Sequence, residues 1–181
     1  AAAGVDHYVS SGYFEGRRAT FDGLEYIASY GDLIAALGPS QDAGASHFIA
    51  SGRTEGRTTT FDGLDYIASY GDLISAFGAN SDAGATHFIT NGFAEGRTVR
   101  FDGLQYIASY GDLIQAFGPN SDAGSSHFIT NGFAEGRAPD TFNEVQYVAN
   151  YADLQAAFGT DYEAATIHYI TNGYAEGRTD A

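Results

Sequence analysis

Five histidines recur at an almost constant spacing, and imidazole is a common ligand of metals and haem as well as an acid–base group near neutral pH. Copies on neighbouring repeats would stand ~10 Å apart, the distance between packed helices, so two of them cannot share one metal ion. We therefore favour a structural role, in which each half-buried histidine bonds to a loop carbonyl or a carboxylate. A metal or haem site is the alternative. The five are His7, His47, His87, His127 and His168.

An arginine closes each copy of a Glu-Gly-Arg turn, and these arginines supply five of the eight basic residues of the chain. Because cations are so scarce, a guanidinium at a fixed position predicts a bidentate carboxylate partner. The candidate partners are the glutamate two residues earlier and an aspartate near the middle of each repeat. We predict a structural clamp rather than an anion site. It joins Arg17, Arg57, Arg97, Arg137 and Arg178 to carboxylates such as Asp32, Asp72, Asp112 and Asp153.

Two further sets of side chains could bind ligands. Asn80 with Asp82, and Asn120 with Asp122, offer the oxygen ligands that Ca²⁺ prefers, but the same residue types also cap helices. Tyrosines four residues apart share one helix face and are expected in the core. On a concave face, Tyr66 and Tyr106 would instead suit a glycan or a peptide. We predict no cofactor, with Ca²⁺ and haem kept as alternatives.

No enzyme signature is visible in the sequence. The chain has no cysteine, no serine in a nucleophile-elbow context and no phosphate-binding glycine loop. Near-identical copies also argue against catalysis, which needs one asymmetric group of unlike residues. We predict that the protein is not an enzyme.

The histidines mark a tandem repeat of about 40 residues. A fixed period in this range predicts a solenoid-like array in which each repeat covers the apolar face of its neighbour. We expect one repeat domain over residues 1–181. It comprises a half-unit at 1–17, followed by repeats 1 to 4 at 21–57, 61–97, 101–137 and 142–178.

Each repeat opens with a helix-start pattern. Asp22 is predicted as the N-cap, Glu25 as its capping-box partner, and Phe21 as the residue that staples onto Tyr26. Asp62 with Asp65, Asp102 with Gln105, and Asn143 with Gln146 are the equivalent pairs. Leu24, Ile27 and Ala28 then follow at helical spacing.

Two more short helices are expected in each repeat. Asp32 is predicted to cap a helix over residues 33–37 that ends at a left-handed Gly38. The third helix carries the histidine, and Gly52 is predicted to stop it. Because no helix exceeds ~12 residues, stability must come from packing between repeats. The sequence therefore predicts an all-α array of short helices.

The charge of the chain excludes some partners and favours others. A net charge of −15 argues against nucleic acid, which is bound by clustered basic residues, and against anionic membrane surfaces. No apolar run of 18 residues and no charged-then-apolar leader is present, so we expect neither membrane insertion nor a signal peptide.

The segments Tyr-x3-Tyr-Gly-Asp-Leu and His-Tyr/Phe-x3-Gly-x2-Glu-Gly-Arg resemble a tandem helical repeat of large bacterial exported and surface proteins. Such repeats often accompany haemolysin-type calcium-binding modules, whose Gly-Gly-x-Gly-x-Asp nonapeptide is absent here. The resemblance implies an extracellular or cell-surface interaction or spacer role, and it carries over no catalytic residue.

Together these observations predict a scaffold, adhesive spacer or self-assembling module. The alternative is a module that uses its histidines, tyrosines and aspartates to bind a metal, a haem-like pigment or a glycan. Neither end looks like a polar capping repeat, so we expect end-to-end association with other copies or neighbouring repeats. A glycan or another protein is the further partner class.

Overall fold

The computed structural model describes residues 21–181, and all the regular structure in that range is helical, with no strand. This confirms the prediction of an all-α array of short-helix repeats. The half-unit at 1–17, with His7 and Arg17, lies outside the described residues. No helix within residues 21–181 is both long and apolar enough to cross a lipid bilayer.

Each repeat contains three short α-helices, and the third runs directly into a five-residue π-helical segment. Repeat 3 has one further helical turn after that segment. Repeat 1 has α1 (Gly23–Ala28), α2 (Gly31–Leu37) and α3 (Gln41–His47), followed by π1 (Phe48–Gly52). Repeat 2 has α4 (Gly63–Ala68), α5 (Gly71–Phe77), α6 (Ser81–His87) and π2 (Phe88–Gly92). Repeat 3 has α7 (Gly103–Ala108), α8 (Gly111–Phe117), α9 (Ser121–His127), π3 (Phe128–Gly132) and the short α10 (Phe133–Glu135). Repeat 4 has α11 (Glu144–Asn150), α12 (Ala152–Phe158), α13 (Tyr162–His168) and π4 (Tyr169–Gly173).

The chain divides into two compact units whose boundary runs through repeat 2. Among the described residues, the first contains 21–63 and Ser81–Thr98, and the second contains Leu64–Asn80 and Val99–Ala181. In the first unit α1 packs on α3 and also on α6 of the next repeat. In the second unit α7 packs in the same way on α9 and α13. The first helix of a repeat is thus held by its own third helix and by that of the following repeat.

The predicted helix start is confirmed, but the capping box is wrong. Asp22 Oδ1 accepts hydrogen bonds from the backbone N–H groups of Leu24 (2.8 Å) and Glu25 (2.9 Å). The rings of Phe21 and Tyr26 lie 5.4 Å apart, as the hydrophobic staple requires. The Glu25 carboxylate, however, accepts a hydrogen bond from the N–H of Gly63, 3.0 Å away in repeat 2. It reaches forward because the next repeat supplies donors there.

The second helix begins differently from the prediction and ends as predicted. Tyr30 is its N-cap and provides no side-chain cap, while Asp32 lies within the first turn. Asp32 binds an arginine instead of capping the helix, because its carboxylate points toward the end of the repeat. Gly38 ends the helix with a φ of +59°, a conformation that favours glycine.

The helical segment ends at Gly52 as predicted, since Gly52 is the last residue of π1, but a left-handed conformation is not the reason. The equivalent Gly132 has right-handed helical angles of −57° and −38°. Glycine is needed there because a Cβ at Gly52 would overlap the hydroxyl of Tyr26. The left-handed glycine comes later, at Gly56 of the Glu-Gly-Arg turn, with a φ of +70°.

Candidate functional site

The histidine of each described repeat lies half-buried at the end of the third helix. In repeat 1 the hydroxyl of Tyr26 lies 3.0 Å from Nδ1 of His47. The same pair recurs as Tyr106 with His127 at 3.1 Å and as Tyr147 with His168 at 2.9 Å. The partner is therefore a tyrosine hydroxyl of the first helix, where we had predicted a loop carbonyl or a carboxylate.

Tyrosine is protonated at neutral pH, and burial raises the pKa of these tyrosines further. Desolvation raises the pKa of Tyr106 and of Tyr147 to about 12, and it also raises the pKa of Tyr26. A protonated phenol can donate its hydrogen bond to an Nδ1 that carries no proton. The pair joins the first and third helices of the repeat.

Burial also removes the tyrosines from any surface site. Tyr66 and Tyr106 are fully buried, each with 0% of the residue exposed. Neither ring has a free face on which a sugar or peptide could stack, so the alternative of a glycan site on these tyrosines is wrong. Their function is to fill the core, where Tyr106 packs edge-on against Tyr110 at 5.4 Å.

The arginine clamp has the predicted geometry. In repeat 1, Arg57 donates to both oxygens of Asp32, at 3.0 and 2.9 Å, while its Nε donates to Glu55 at 2.6 Å. Its guanidinium carbon also lies 4.8 Å from the centre of the Tyr30 ring. The guanidinium therefore binds two carboxylates and an aromatic face at once.

The clamp recurs along the array. Arg137 bonds to Asp112 at 3.2 and 2.9 Å and to Glu135 at 2.7 Å. Arg178 contacts Asp153 at 2.8 Å and Glu176 at 2.6 Å. In repeat 2, Arg97 bonds to Glu95 at 2.7 Å.

The aspartates of the clamp are acidified by their arginines. The hydrogen bonds from Arg57, Arg137 and Arg178 lower the pKa values of Asp32, Asp112 and Asp153 respectively. These aspartate side chains are 60–62% exposed, so solvent screens much of the interaction.

A second group of side chains, for which the sequence predicted no contact between repeats, joins one repeat to the next. We call each such contact region a repeat junction. Its first component is Ser29, whose hydroxyl accepts from the N–H groups of Thr60 (2.9 Å) and Phe61 (3.0 Å) of the following repeat. Ser69 and Ser109 hold the next two junctions in the same way. The serine thus anchors the chain as it enters each new repeat.

The second component is the side chain three positions after the N-cap. Glu25 accepts from the hydroxyl of Ser81 at 2.5 Å in addition to Gly63, and burial raises its pKa. Asp65 accepts from Ser125 at 2.5 Å, and Gln105 donates to Thr166 at 3.3 Å. Among residues 21–181, the Gln105 Oε1 atom is the one buried side-chain oxygen or nitrogen left without a partner.

The third component is an aromatic ring seated on a glycine. A Cβ built on Gly31 would lie 2.9 Å from Phe93 of the next repeat, and one on Gly71 would lie 3.0 Å from Phe133. Tyr174 covers Gly111 in the same manner. The sequence signal is a glycine after the second tyrosine and an aromatic residue 62 or 63 positions later. This separation is too long to be recognised from a single repeat.

Repeat 4 departs from this pattern at the serine and at the glycine. Ala152 replaces the glycine that an aromatic ring covers in the other repeats, and Asn150 replaces their serine. Asn150 Nδ2 donates to the carbonyls of Thr179 (3.1 Å) and Ala181 (3.2 Å). Val145 is 49% exposed, whereas the equivalent Leu24 is 9% exposed. Two of the three junction components, the serine and the glycine, are therefore replaced in repeat 4.

The residues considered as Ca²⁺ ligands lie at the N-termini of the third helices. Asn120 is the N-cap of α9, and its Oδ1 accepts from the N–H of Ala123 at 3.2 Å. Asp82 and Asp122 lie in the first turns of α6 and α9, and Asn80 immediately precedes α6. Within residues 21–181 no cluster of three or more histidine, cysteine, aspartate or glutamate side chains could hold a metal ion.

The comparisons with known proteins assign this chain to no family. Scans against protein-family models, curated proteins and solved structures found no match to this chain.

Proposed function

We propose that this chain is a non-catalytic helical repeat module that acts as a scaffold or adhesive spacer. The observation that carries the proposal is the recurrence of one set of contacts at three successive junctions. At each of them a serine hydroxyl and a glycine meet the same positions of the following repeat. A polar side chain also reaches the third helix of that repeat, at its first residue in the first junction and at its fifth residue in the other two. The repeated chemistry is thus directed at neighbouring repeats.

The remaining repeated polar groups also have internal partners. Tyr106 pairs with His127, and Arg137 binds Asp112 and Glu135 within a single repeat. Identical roles in successive repeats suit a module that maintains a constant geometry, whereas catalysis needs one unlike group.

The extracellular or cell-surface location is part of the proposal. It rests on the resemblance of the Tyr-x3-Tyr-Gly-Asp-Leu and Glu-Gly-Arg segments to repeats of exported bacterial proteins, and on the net charge of −15. We propose other copies of the chain, or neighbouring repeats, as its partners.

Removal of one complete period tests the scaffold function. Deletion of residues 61–100 joins repeat 1 to repeat 3, so Ser29 meets Phe101 and Gly31 meets Phe133. If the junctions are interchangeable, the shortened chain keeps the helicity per residue of the parent by circular dichroism and still unfolds cooperatively. A shortened chain that is unfolded would contradict the proposal.

The alternative of a ligand-binding module is tested on the intact chain. We expect the purified protein to be colourless and to hold no stoichiometric metal in elemental analysis. A visible chromophore, or close to one metal ion per repeat, would replace the scaffold by a metal or haem module.

A further inference from the structure

The second compact unit contains a cleft of about 380 Å³. Its walls include Ser69, Gly71, Arg100, Phe101, Phe133 and Arg137. The volume falls in the range of ordinary small-molecule sites, ~300–1,000 Å³. The cleft is separate from the tyrosine–histidine pairs and lies at the junction between repeats 2 and 3, whose Ser69, Gly71 and Phe133 form part of its wall.

Arg100 provides a positive charge that the fold does not neutralise. Within the described part of the chain no carboxylate lies within ion-pair distance of its guanidinium, which is instead 5.8 Å from the ring centre of Tyr70. The clamp arginine Arg137, in contrast, is bound by Asp112 and Glu135. An exposed cation without a carboxylate partner is notable in a chain with a net charge of −15.

Apart from the position of its side chain over the Tyr70 ring, Arg100 contributes to the junction through its backbone N–H, which donates to Ser69 at 2.8 Å. Thr60 and Thr141 make the same backbone contact to Ser29 and Ser109 in the other two junctions. A threonine side chain therefore suffices at this position, and the arginine is an addition specific to the junction between repeats 2 and 3.

The rest of the cleft is apolar. Phe133 is 48% exposed, and its ring rests on Gly71, while Phe101 and Phe128 are buried behind it. The hydroxyl of Ser69 already donates to the carbonyl of Asp65 at 2.7 Å and accepts from Arg100 and Phe101. The hydroxyl groups of a sugar would find few partners, and buried polar groups without partners are costly.

We propose that this cleft binds a small aromatic carboxylate. The guanidinium of Arg100 holds the carboxylate group through paired charge-assisted hydrogen bonds, and the aromatic ring packs against Phe133. The carboxylates of Asp112 and Glu135 are both engaged by Arg137, which neutralises one of their two negative charges and leaves the guanidinium of Arg100 as the cation of the cleft without a carboxylate partner.

Fluorescence or calorimetric titration with 2-naphthoate tests the proposal on the full chain. We expect saturable binding at one site in the wild type and at least about tenfold weaker binding in Arg100→Thr, since bonds to charged groups contribute that much. The threonine variant reproduces the residue of the other two junctions, so its melting temperature should be unchanged. The neutral analogue 2-naphthylmethanol should bind weakly to both proteins.

Three results would overturn the proposal. The first is an absence of saturable 2-naphthoate binding to the wild type at millimolar concentration. The second is equal affinity in the wild type and in a folded Arg100→Thr protein. The third is equally tight, Arg100-dependent binding of glucuronate, which would assign the cleft to acidic sugars instead.

Discussion

The hydroxyl of Tyr106 and Nδ1 of His127 lie 3.1 Å apart, although 21 residues separate them in the chain. Gly132, one turn beyond the histidine, leaves the space that the hydroxyl occupies. The first helix, the third helix and the π-helical segment of the repeat therefore meet at one hydrogen bond. The same arrangement recurs in repeats 1 and 4.

Loss of the histidine should destabilise the fold without loss of a ligand. In His127→Ala the buried hydroxyl of Tyr106 has no acceptor, and we expect a loss of about 1–3 kcal/mol in the free energy of unfolding. Urea denaturation measures the loss, and Tyr106→Phe provides the other arm of a double-mutant cycle. An unchanged stability, together with loss of a bound metal or chromophore, would show that the histidine is a ligand.

Alanine at Gly132 should be destabilising, although alanine is normally the better helix former by about 1 kcal/mol. The added methyl group would overlap the Tyr106 hydroxyl. Tyr106→Phe removes that oxygen. In this background Gly132→Ala should lower the melting temperature much less than it does in the wild type. Equal effects of Gly132→Ala in both backgrounds would show that the hydroxyl is not the obstacle.

The clamp should distinguish arginine from lysine. Arg57 contacts both oxygens of Asp32 and also Glu55, and a single ammonium cannot reproduce this fork. We expect Arg57→Lys and Arg57→Ala to lower the melting temperature by similar amounts. Full tolerance of lysine alone would reduce the role of Arg57 to charge balance.

The same clamp has a defined pH dependence. Because the pKa of Asp32 is lowered in the folded state, its contribution is present above the ordinary aspartate value of 3.8 and is lost as the pH falls through the lowered pKa. The stability difference between the wild type and Asp32→Asn should therefore vanish in strong acid.

The junction glycine and its replacement in repeat 4 form a matched pair of positions. Gly71→Ala should displace the ring of Phe133, because the new Cβ would lie 3.0 Å from it. Ala152→Gly should cost only the usual helix penalty of about 1 kcal/mol. We expect the first change to perturb the aromatic signals of the NMR spectrum and the second to leave them in place. Identical effects would argue that no ring-on-glycine contact exists.

Self-association should depend on the exposed face of repeat 1. Ile49 is 71% exposed, whereas the equivalent Ile89 and Ile129 are 7% and 6% exposed. We expect light scattering to show association that increases with salt, because screening reduces repulsion between chains of charge −15. Ile49→Ser should abolish it. A wild-type chain that stays monomeric from low to high salt at tens of micromolar would exclude other copies of the chain as its partner.

The amino-acid sequence by itself determined the period, the all-helical class and the local contacts. An N-cap such as Asp22 and its donors lie within three residues of each other, so their geometry is set by the backbone of one turn. The clamp between Arg57 and Asp32 could also be inferred, because scarce cations at a repeated position need carboxylate partners.

Only the tertiary structure decided which distant groups meet. Glu25 satisfies the local capping-box pattern, yet its carboxylate binds Ser81, and Gly31 lies under Phe93 of the next repeat. Local rules cannot choose between a partner three residues away and one in the following repeat, because that choice depends on how the repeats pack. The same packing buries Tyr66 and Tyr106, which the sequence alone allowed on a surface.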